Sequence, residues 1–356
     1  MKKIICLIES LGSGGAERQM SGLAALLKEH GYDVEVWTYC PNDFYVPTLQ
    51  NAGVPYRYIA EAQSKKNRLK VLRQEFKKAM PDTVIAYLDT ACMVACVIKA
   101  MGAKFKLLVS ERNTTQRISK RERIKFFLYR FADWIVPNSH TQAEFITTHY
   151  PNLSRKVRCI TNFVDTDKFV PVDNYVANEP LRILTVARIM PQKNILKYLD
   201  AIKLAVDGGV KAHFDWVGQS LGDDYQAECN ERIRVLGLGK YFTFHERDNN
   251  IINWYHNADV LCMPSSFEGF PNVICEAMCC GLPIICSNVS DNSRIIDDGK
   301  NGFLFDPNDT KSIAKAITHI TTCTPQSRSD MRLSSLELSC SKFSARIFIR
   351  EYIKLI

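Results

Sequence analysis

Two acids eight positions apart bracket the segment Ser265-Ser266-Phe267-Glu268-Gly269-Phe270-Pro271-Asn272-Val273-Ile274-Cys275-Glu276. Carboxylates accept hydrogen bonds from vicinal hydroxyls, so Glu268 and Glu276 suit the two ends of an elongated polyhydroxyl ligand, a ribose or a hexose. As a general acid and base they would instead need a reacting bond between them. Pro271 suits the first helical turn, where its missing N–H costs nothing. That placement leaves Glu268, Gly269 and Phe270 in a turn, and the amides of Asn272 and Val273 free at the helix entrance. Glu276 then lies about a turn and a half inside. At about 100° per residue the two acids fall about 80° out of line, so a loop-plus-helix geometry is needed. Two solvated helix-end acids are the alternative. A second constellation, Ala187-Arg188-Ile189-Met190-Pro191-Gln192-Lys193-Asn194, places Arg188 and Lys193 five apart. A bidentate guanidinium with a compact ammonium is a pairing suited to phosphate oxygens; plain surface charge at a strand end is the competing explanation.

A third run, Gly12-Ser13-Gly14-Gly15-Ala16-Glu17-Arg18, follows an apolar strand and opens a helix. Glycines there let backbone N–H groups approach an anion at the helix N-terminus, unless the turn is tight without a ligand. Glu17 stands where a dinucleotide fingerprint needs its third glycine, and Thr38-Tyr39 lacks the ribose-binding acid. A nicotinamide dinucleotide therefore fits poorly. Asp165-Thr166-Asp167 divides between a metal site and a turn or linker, and the linker fits its surroundings better.

These groups need a scaffold, and the chain supplies one by alternation. Apolar runs at Lys3–Ser10, Val34–Tyr39, Thr83–Leu88, Lys106–Ser110, Trp134–Pro137 and Val157–Ile160 fill the first half. Arg182–Ala187, His213–Val217, Phe242–His245, Val260–Pro264, Pro283–Ser287 and Gly302–Phe305 fill the second. Helical patterns lie between, at Ala16–His30, Asn194–Ala205, Tyr225–Leu236 and Asn272–Cys280, and Thr321–Ser329 reads as a polar loop. Continuous apolar strands separated by amphipathic helices predict parallel sheets covered on both faces. The expected fold class is α/β, with two doubly wound domains divided near Val170–Pro180. Ligands in such sheets bind beyond the carboxyl ends of the strands, so a cleft between the two sheets is the expected site.

Length and composition agree. The 356 residues are 46% hydrophobic and 24% charged, a globular balance for about two domains. No run reaches the roughly 18 to 20 apolar residues of a membrane span. The apolar run after Met1-Lys2-Lys3 ends at Glu9, too short for a signal peptide, and a cytoplasmic protein with reduced thiols is expected. No CxxC pair or HExxH occurs among the 13 Cys and 7 His, which gives a zinc site little support. The net charge of +8 is uneven: residues 1–172 carry 26 Lys+Arg against 16 Asp+Glu, the remainder 20 against 22. Basic clusters lie at 65–78 and 117–130, the second interleaved with Ile118, Ile124, Phe126, Phe127, Leu128 and Tyr129. A solvated helix face, an anionic membrane surface and nucleic acid compete for this stretch. Nucleic acid is disfavoured, because no RNA- or DNA-binding module is recognisable.

Taken together, Glu268-x7-Glu276 followed by Gly281-Leu282-Pro283, the Arg188…Lys193 pair, Gly14-Gly15-Ala16-Glu17-Arg18, Asn138-Ser139 and Asn162-Phe163-Val164-Asp165 resemble the retaining glycosyltransferases of family 4, over about residues 4–306. The resemblance implies a GT-B fold, two Rossmann-like domains facing across a cleft. The first domain is expected at 1–172 and the second, donor-binding one at 173–340, with a last helix at about 341–356 returning to the first. It implies that Arg188 and Lys193 grip the donor diphosphate and that Glu276 holds the ribose hydroxyls. Glu268, with the Gly269–Phe270–Pro271 turn, would hold the sugar. Gly15, Gly218, Arg247, Asn272 and Val273 are further donor-contact candidates. Gly14, Glu17, Arg112, Asn113 and Asn138 are acceptor or sugar-contact candidates. Two positions depart from the family pattern: Ser110-Glu111-Arg112-Asn113 has no His at a strand end where many relatives carry one, and a Gly-x-Gly reads Gly218-Gln219-Ser220. The implied activity is metal-independent transfer, with retention, of a hexose or N-acetylhexosamine from a nucleotide diphosphate sugar. UDP is the expected nucleotide, and a saccharide or polyprenyl-linked glycan the acceptor, at the inner face of the cell membrane. A nucleotide-sugar 2-epimerase of the same fold, and a non-catalytic sugar-nucleotide or glycan-binding subunit, are the alternatives.

Overall fold

The structure, a computed structural model, describes residues 1–220 and 222–356 and comprises two compact units: Met1–Phe163 with Ala345–Ile356, and Val164–Ser344. The first runs β1 (Lys3–Leu7), α1 (Gly15–Glu29), β2 (Asp33–Thr38), α2 (Val46–Asn51), β3 (Tyr56–Tyr58), α3 (Arg68–Ala79), β4 (Thr83–Tyr87), α4 (Asp89–Ala100), β5 (Lys106–Glu111), α5 (Lys120–Leu128), β6 (Trp134–Pro137) and α6 (His140–His149). The second runs β7 (Leu181–Val186), α7 (Ile195–Asp207), β8 (Ala212–Val217), α8 (Asp223–Leu236), β9 (Phe242–His245), α9 (Ile251–His256) and β10 (Val260–Met263). It continues through α10 (Asn272–Cys279), β11 (Ile284–Ser287), α11 (Asn292–Ile295), β12 (Gly302–Phe305), α12 (Thr310–Thr322) and α13 (Pro325–Lys342), and α14 (Ala345–Ile353) belongs to the first unit again.

Both sheets are six-stranded, ordered β3-β2-β1-β4-β5-β6 and β12-β11-β10-β7-β8-β9, and the pairings between named strands are parallel. This is the doubly wound order, whose direction reverses beside the first strand of each sheet. The switch points therefore fall between β1 and β4, and between β7 and β10. Strand pleating explains the uninterrupted apolar runs, because successive side chains enter cores on opposite faces. Ile5 and Leu7 enter one core, Ile4 and Cys6 the other; Ile183, Val260 and Cys262 oppose Leu184, Leu261 and Met263 in the same way. Burial pushes the thiols of Cys6, Cys96, Cys262 and Cys280 up to about 12, which leaves them protonated packing groups.

Some expectations change. The Val157–Ile160 segment is not a strand; it makes a single bridge, Ile135 to Val157, while the three-residue β3, too short to show alternation, completes the sheet edge. Thr321–Ser329 is largely helical, because Thr324 caps α13 by accepting from Ser327 N and Pro325 fills a first-turn position. The first unit ends at Phe163 rather than at 172. Its end is held by a reciprocal pair, Gln19 Nε2 donating to Phe163 O (2.8 Å) and Phe163 N to Gln19 Oε1 (3.2 Å). Val164 N instead donates to Phe343 O at 2.9 Å, and Phe169 packs near Tyr255, so the next residues join the second unit. The returning helix begins at Ala345, buries Phe348, Ile349 and Tyr352 with the β1 core, and the Ile356 carbonyl accepts from Lys2 and Lys106.

The basic stretch at 117–130 folds with its chemistry partly inverted. Ser119 caps α5 in a capping box with Glu122. Lys125 and Phe126 then point inward, at 3% and 1% exposure, while Ile124 and Phe127 face solvent at 54% and 57%. Lys125 donates to Glu111 (2.8 Å) and to Asp89 (3.2 Å). Tyr129 also donates to Glu111, as does Gln142 at 3.2 Å. Burial works against the Lys125 charge, but Glu111 and Asp89 more than offset it and hold its pKa above the usual range; burial raises the Glu111 carboxyl despite Lys125 beside it. Within the other basic cluster Arg68 is likewise drawn in, donating to Ala62 O and Gln63 O with its guanidinium 4.2 Å over the Tyr39 ring centroid.

Candidate active site

In the second sheet the loops after β7 and β10 flank the switch point, and they are laced together. Ser266 N donates to Gln192 O, and Gln192 Nε2 donates to Phe267 O, both at 2.9 Å. Lys193 Nζ donates to Glu268 Oε1 at 2.6 Å, with both side chains about seven-eighths buried. A third strut comes from the loop after β11: Ser290, at φ +51°, accepts from Glu268 N (3.2 Å) and donates to Glu268 O (2.6 Å). Glu268 is thus held at backbone and side chain alike, which preorganises its carboxylate.

Arg188 occupies the same loop as Lys193 but is exposed, and it has no ion-pair partner among the described residues. Its neighbour Ala187 is pinned from two sides. Trp216 Nε1 donates to Ala187 O at 2.8 Å, and a Cβ on Gly218 would lie 1.9 Å from that same oxygen. Gly218 is therefore the residue that lets the β7 and β8 ends close together. Trp216→Phe is expected to cost about 1 kcal/mol of stability by leaving the Ala187 carbonyl unpaired. Urea denaturation measures this, and an unchanged unfolding free energy would show the bond to be dispensable.

Glu276 lies in α10, 3% exposed, and Tyr255 of α9 donates to its Oε2 at 3.0 Å. Pro271 is the N-cap of α10 rather than its first residue, with φ −84° and ψ 75°. The Asn272 amide donates to Phe270 O at 3.0 Å, so it is not the free donor expected; the tight turn consumes it. Phe270 is 8% exposed and packs on Phe343, Gly269 precedes it in the turn, and Val273 is half-buried in the first turn of α10. Arg247 follows β9 and is exposed. Gln192, Tyr255, Trp216 and Ser290 brace these groups without having been singled out in the sequence. Only Gln192, inside the Arg188–Lys193 motif, carried any local signal.

At the carboxyl edge of the first sheet, Gly14 is the N-cap of α1 and Gly15 its first residue. Glu17 folds back against Gly14, where an added Cβ would lie 2.2 Å from its Oε2, and burial raises the Glu17 carboxyl. The helix N-terminus thus already faces a carboxylate. Arg112 is buried at 8% exposure, stacks 4.5 Å over the Tyr87 ring centroid, and donates to Ser110 Oγ (3.3 Å) and to Asn162. Its Nε is without a partner, and it has no carboxylate partner among the described residues. Asn138 is buried with its Oδ1 likewise orphaned, and Asn113 is exposed. Asp165 Oδ1 accepts from Asp167 N and Lys168 N, both at 3.2 Å, which makes that acidic run a turn.

Comparison with known proteins fits these two halves. Residues 13–168 match the family described as Glycosyltransferase Family 4, and residues 170–334 match Glycosyl transferases group 1. A Campylobacter jejuni GalNAc-α-(1→4)-GalNAc-α-(1→3)-diNAcBac-PP-undecaprenol α-1,4-N-acetyl-D-galactosaminyltransferase is 27% identical over 325 residues, covering 89% of this chain and 88% of its own. An Escherichia coli UDP-Gal:α-D-GlcNAc-diphosphoundecaprenol α-1,3-galactosyltransferase is 31% identical over 182 residues, 47% of this chain and 45% of its own. Among solved structures, Anabaena HepE in complex with UDP and glucose superposes with a TM-score of 0.86 at 19% identity, covering 99% of both chains. With two matched domains in series on two doubly wound sheets, this chain is a GT-B-fold glycosyltransferase that belongs to the family 4 and group 1 glycosyltransferases.

Proposed function

We propose that the enzyme moves a hexose or N-acetylhexosamine from a UDP-sugar to a saccharide or polyprenyl-linked glycan, with retention and without a metal ion, at the inner face of the cell membrane. The observation that carries this is the brace at the second switch point, where Lys193, Glu268 and the exposed Arg188 share one pair of loops. An ammonium has three donors; one Lys193 N–H meets Glu268 and the other two can reach diphosphate oxygens. Arg188 adds a planar fork from the same loop, so fixed cations meet the charge that grows on the departing diphosphate. They supply there what a divalent cation would otherwise supply. Glu268 would accept from sugar hydroxyls and Glu276, steadied by Tyr255, from the ribose. As the C–O bond to the diphosphate breaks, the acceptor hydroxyl would enter from the face the diphosphate leaves and pass its proton to the departing diphosphate oxygen, giving retention. From the first unit, Gly14, Gly15, Glu17, Asn113 and Asn138 would contribute acceptor or sugar contacts. Arg112, a buried cation without a counter-charge, would face an anionic or strongly polar group. The relatives' names support a lipid-linked acceptor and a UDP-sugar donor.

The test pairs thermal-shift screening with product analysis. A UDP-sugar at one hundred times its Kd raises stability by about 2.7 kcal/mol, whereas GDP- and ADP-sugars leave it unchanged. Incubation with membranes or lipid extract, with EDTA present, yields a glycosylated lipid of retained anomeric configuration. Free UDP with an epimerised sugar and no acceptor product, or donor binding without consumption, would refute the proposal.

A further inference from the structure

Residues 112–119, between β5 and α5, have no regular element of their own, so side chains must hold that loop in shape. It carries Arg112 and Asn113, and the turn after β6 carries Asn138. The two are tied by Gln142, at 0% exposure in the first turn of α6. Its Nε2 donates to Thr115 Oγ1 (2.9 Å) and to Glu111 Oε2 (3.2 Å), while its Oε1 accepts from Thr115 N (2.8 Å). The orientation of the amide is dictated, because the Thr115 peptide N–H can only donate and Glu111 already accepts from Lys125 and Tyr129. Gln142 N donates to Ser139 Oγ, the cap of α6, at 3.2 Å, and Asn138 N donates to Glu111 O at 3.0 Å. One buried amide therefore joins the middle of the first loop to the root of the second. Were packing the only need, an apolar side chain would fill the place without the cost of desolvating an amide. Arg112 and Asn138, each one residue from a bonded member of this group, keep orphaned polar atoms, Nε and Oδ1.

We infer that Gln142 is a positioning residue for the acceptor. Through Thr115 and Glu111 it sets the loop after β5, and with it Arg112 and Asn113, against Asn138 at the carboxyl edge of the first sheet. The inference rests on the reading of those three residues as acceptor contacts. A misplacement of about 1 Å can cost up to about a hundredfold in rate, so a side chain that touches no substrate can still govern its capture.

Transfer from a UDP-sugar to graded amounts of lipid extract tests this, beside UDP binding followed by thermal shift. Gln142→Ala raises the half-saturating amount of acceptor about tenfold. It leaves UDP affinity at the parental value, because Arg188, Lys193, Glu268 and Glu276 lie in the second unit. Thr115→Val keeps the N–H but loses the hydroxyl, and shifts the acceptor dependence the same way; Thr115→Ser keeps both and matches the parent. Parental acceptor kinetics in a folded Gln142→Ala protein overturn the inference, and so does an equal loss of UDP affinity, which marks a general loosening. Should Gln142→Ala fail to fold, the Thr115 pair decides, and equal behaviour of Val and Ser overturns it. Arg112→Ala and Asn138→Ala separate the two levels. If both keep parental acceptor kinetics, the contact reading fails and the inference with it; if they raise the half-saturating amount and Gln142→Ala does not, the inference alone fails.

Discussion

Arg188→Ala is expected to slow transfer roughly a hundred- to a thousand-fold, the usual loss when one preorganised charge is removed from a developing anion. The effect belongs in kcat, because the diphosphate's charge grows as the sugar departs and an interaction that strengthens along that path lowers the barrier. Stability should hold within about 0.5 kcal/mol, since Arg188 is exposed and no described residue relies on it for an ion pair. Arg188→Lys keeps the charge but loses the fork, and should recover only part of the rate. Kinetics with a UDP-sugar, beside circular dichroism and a urea midpoint, separate these outcomes. A folded Arg188→Ala enzyme working at close to the parental rate would remove Arg188 from the reaction.

Glu276→Ala should lower kcat/KM for donor by about a hundredfold, mainly through KM. A carboxylate that accepts from hydroxyls in both ground and transition states contributes uniform binding, and hydrogen bonds to charged groups are worth about 1.5 to 3 kcal/mol each. The buried Tyr255 hydroxyl, which donates to Glu276 at 3.0 Å, would lose that charged acceptor, so this variant should also unfold about 1 to 3 kcal/mol more easily. Glu276→Gln keeps an acceptor for Tyr255 and should restore the stability but only part of the affinity. That split distinguishes ligand binding from support of the fold. If Gln restores both equally, Glu276 merely holds α9 to α10.

Much of the architecture could be read along the chain. In the second unit, β9 and β12 fall where expected, β7 shifts by one residue at both ends, and β8, β10 and β11 by one residue at one end, because a fully buried parallel strand is a short uninterrupted apolar run whatever surrounds it. The exceptions have local causes. Tyr56-Arg57-Tyr58 is too short to show periodicity, Val157–Ile160 has apolar ends without a full ladder to join, and the polar 321–329 segment concealed a helix start that depends on the Thr324 cap. α5 misled in a different way: its composition suggested a basic amphipathic helix, but which residues turn inward depends on Glu111 and Asp89, which lie on other elements.

The same division runs through the site. Residue type and spacing were enough to single out Glu268, Glu276, Arg188 and Lys193 as candidates, since oxygen-rich ligands and phosphates call for those groups wherever they stand. Their arrangement came only with folding. Lys193 and Glu268 are 75 positions apart, brought together because the doubly wound order makes β7 and β10 neighbours. The bonds that brace them, from Gln192, Tyr255, Trp216 and Ser290, join loops whose proximity no periodicity records. Helix and strand patterns are short-range consequences of backbone geometry, whereas hydrogen bonds between distant loops exist only once strand order has placed their ends side by side.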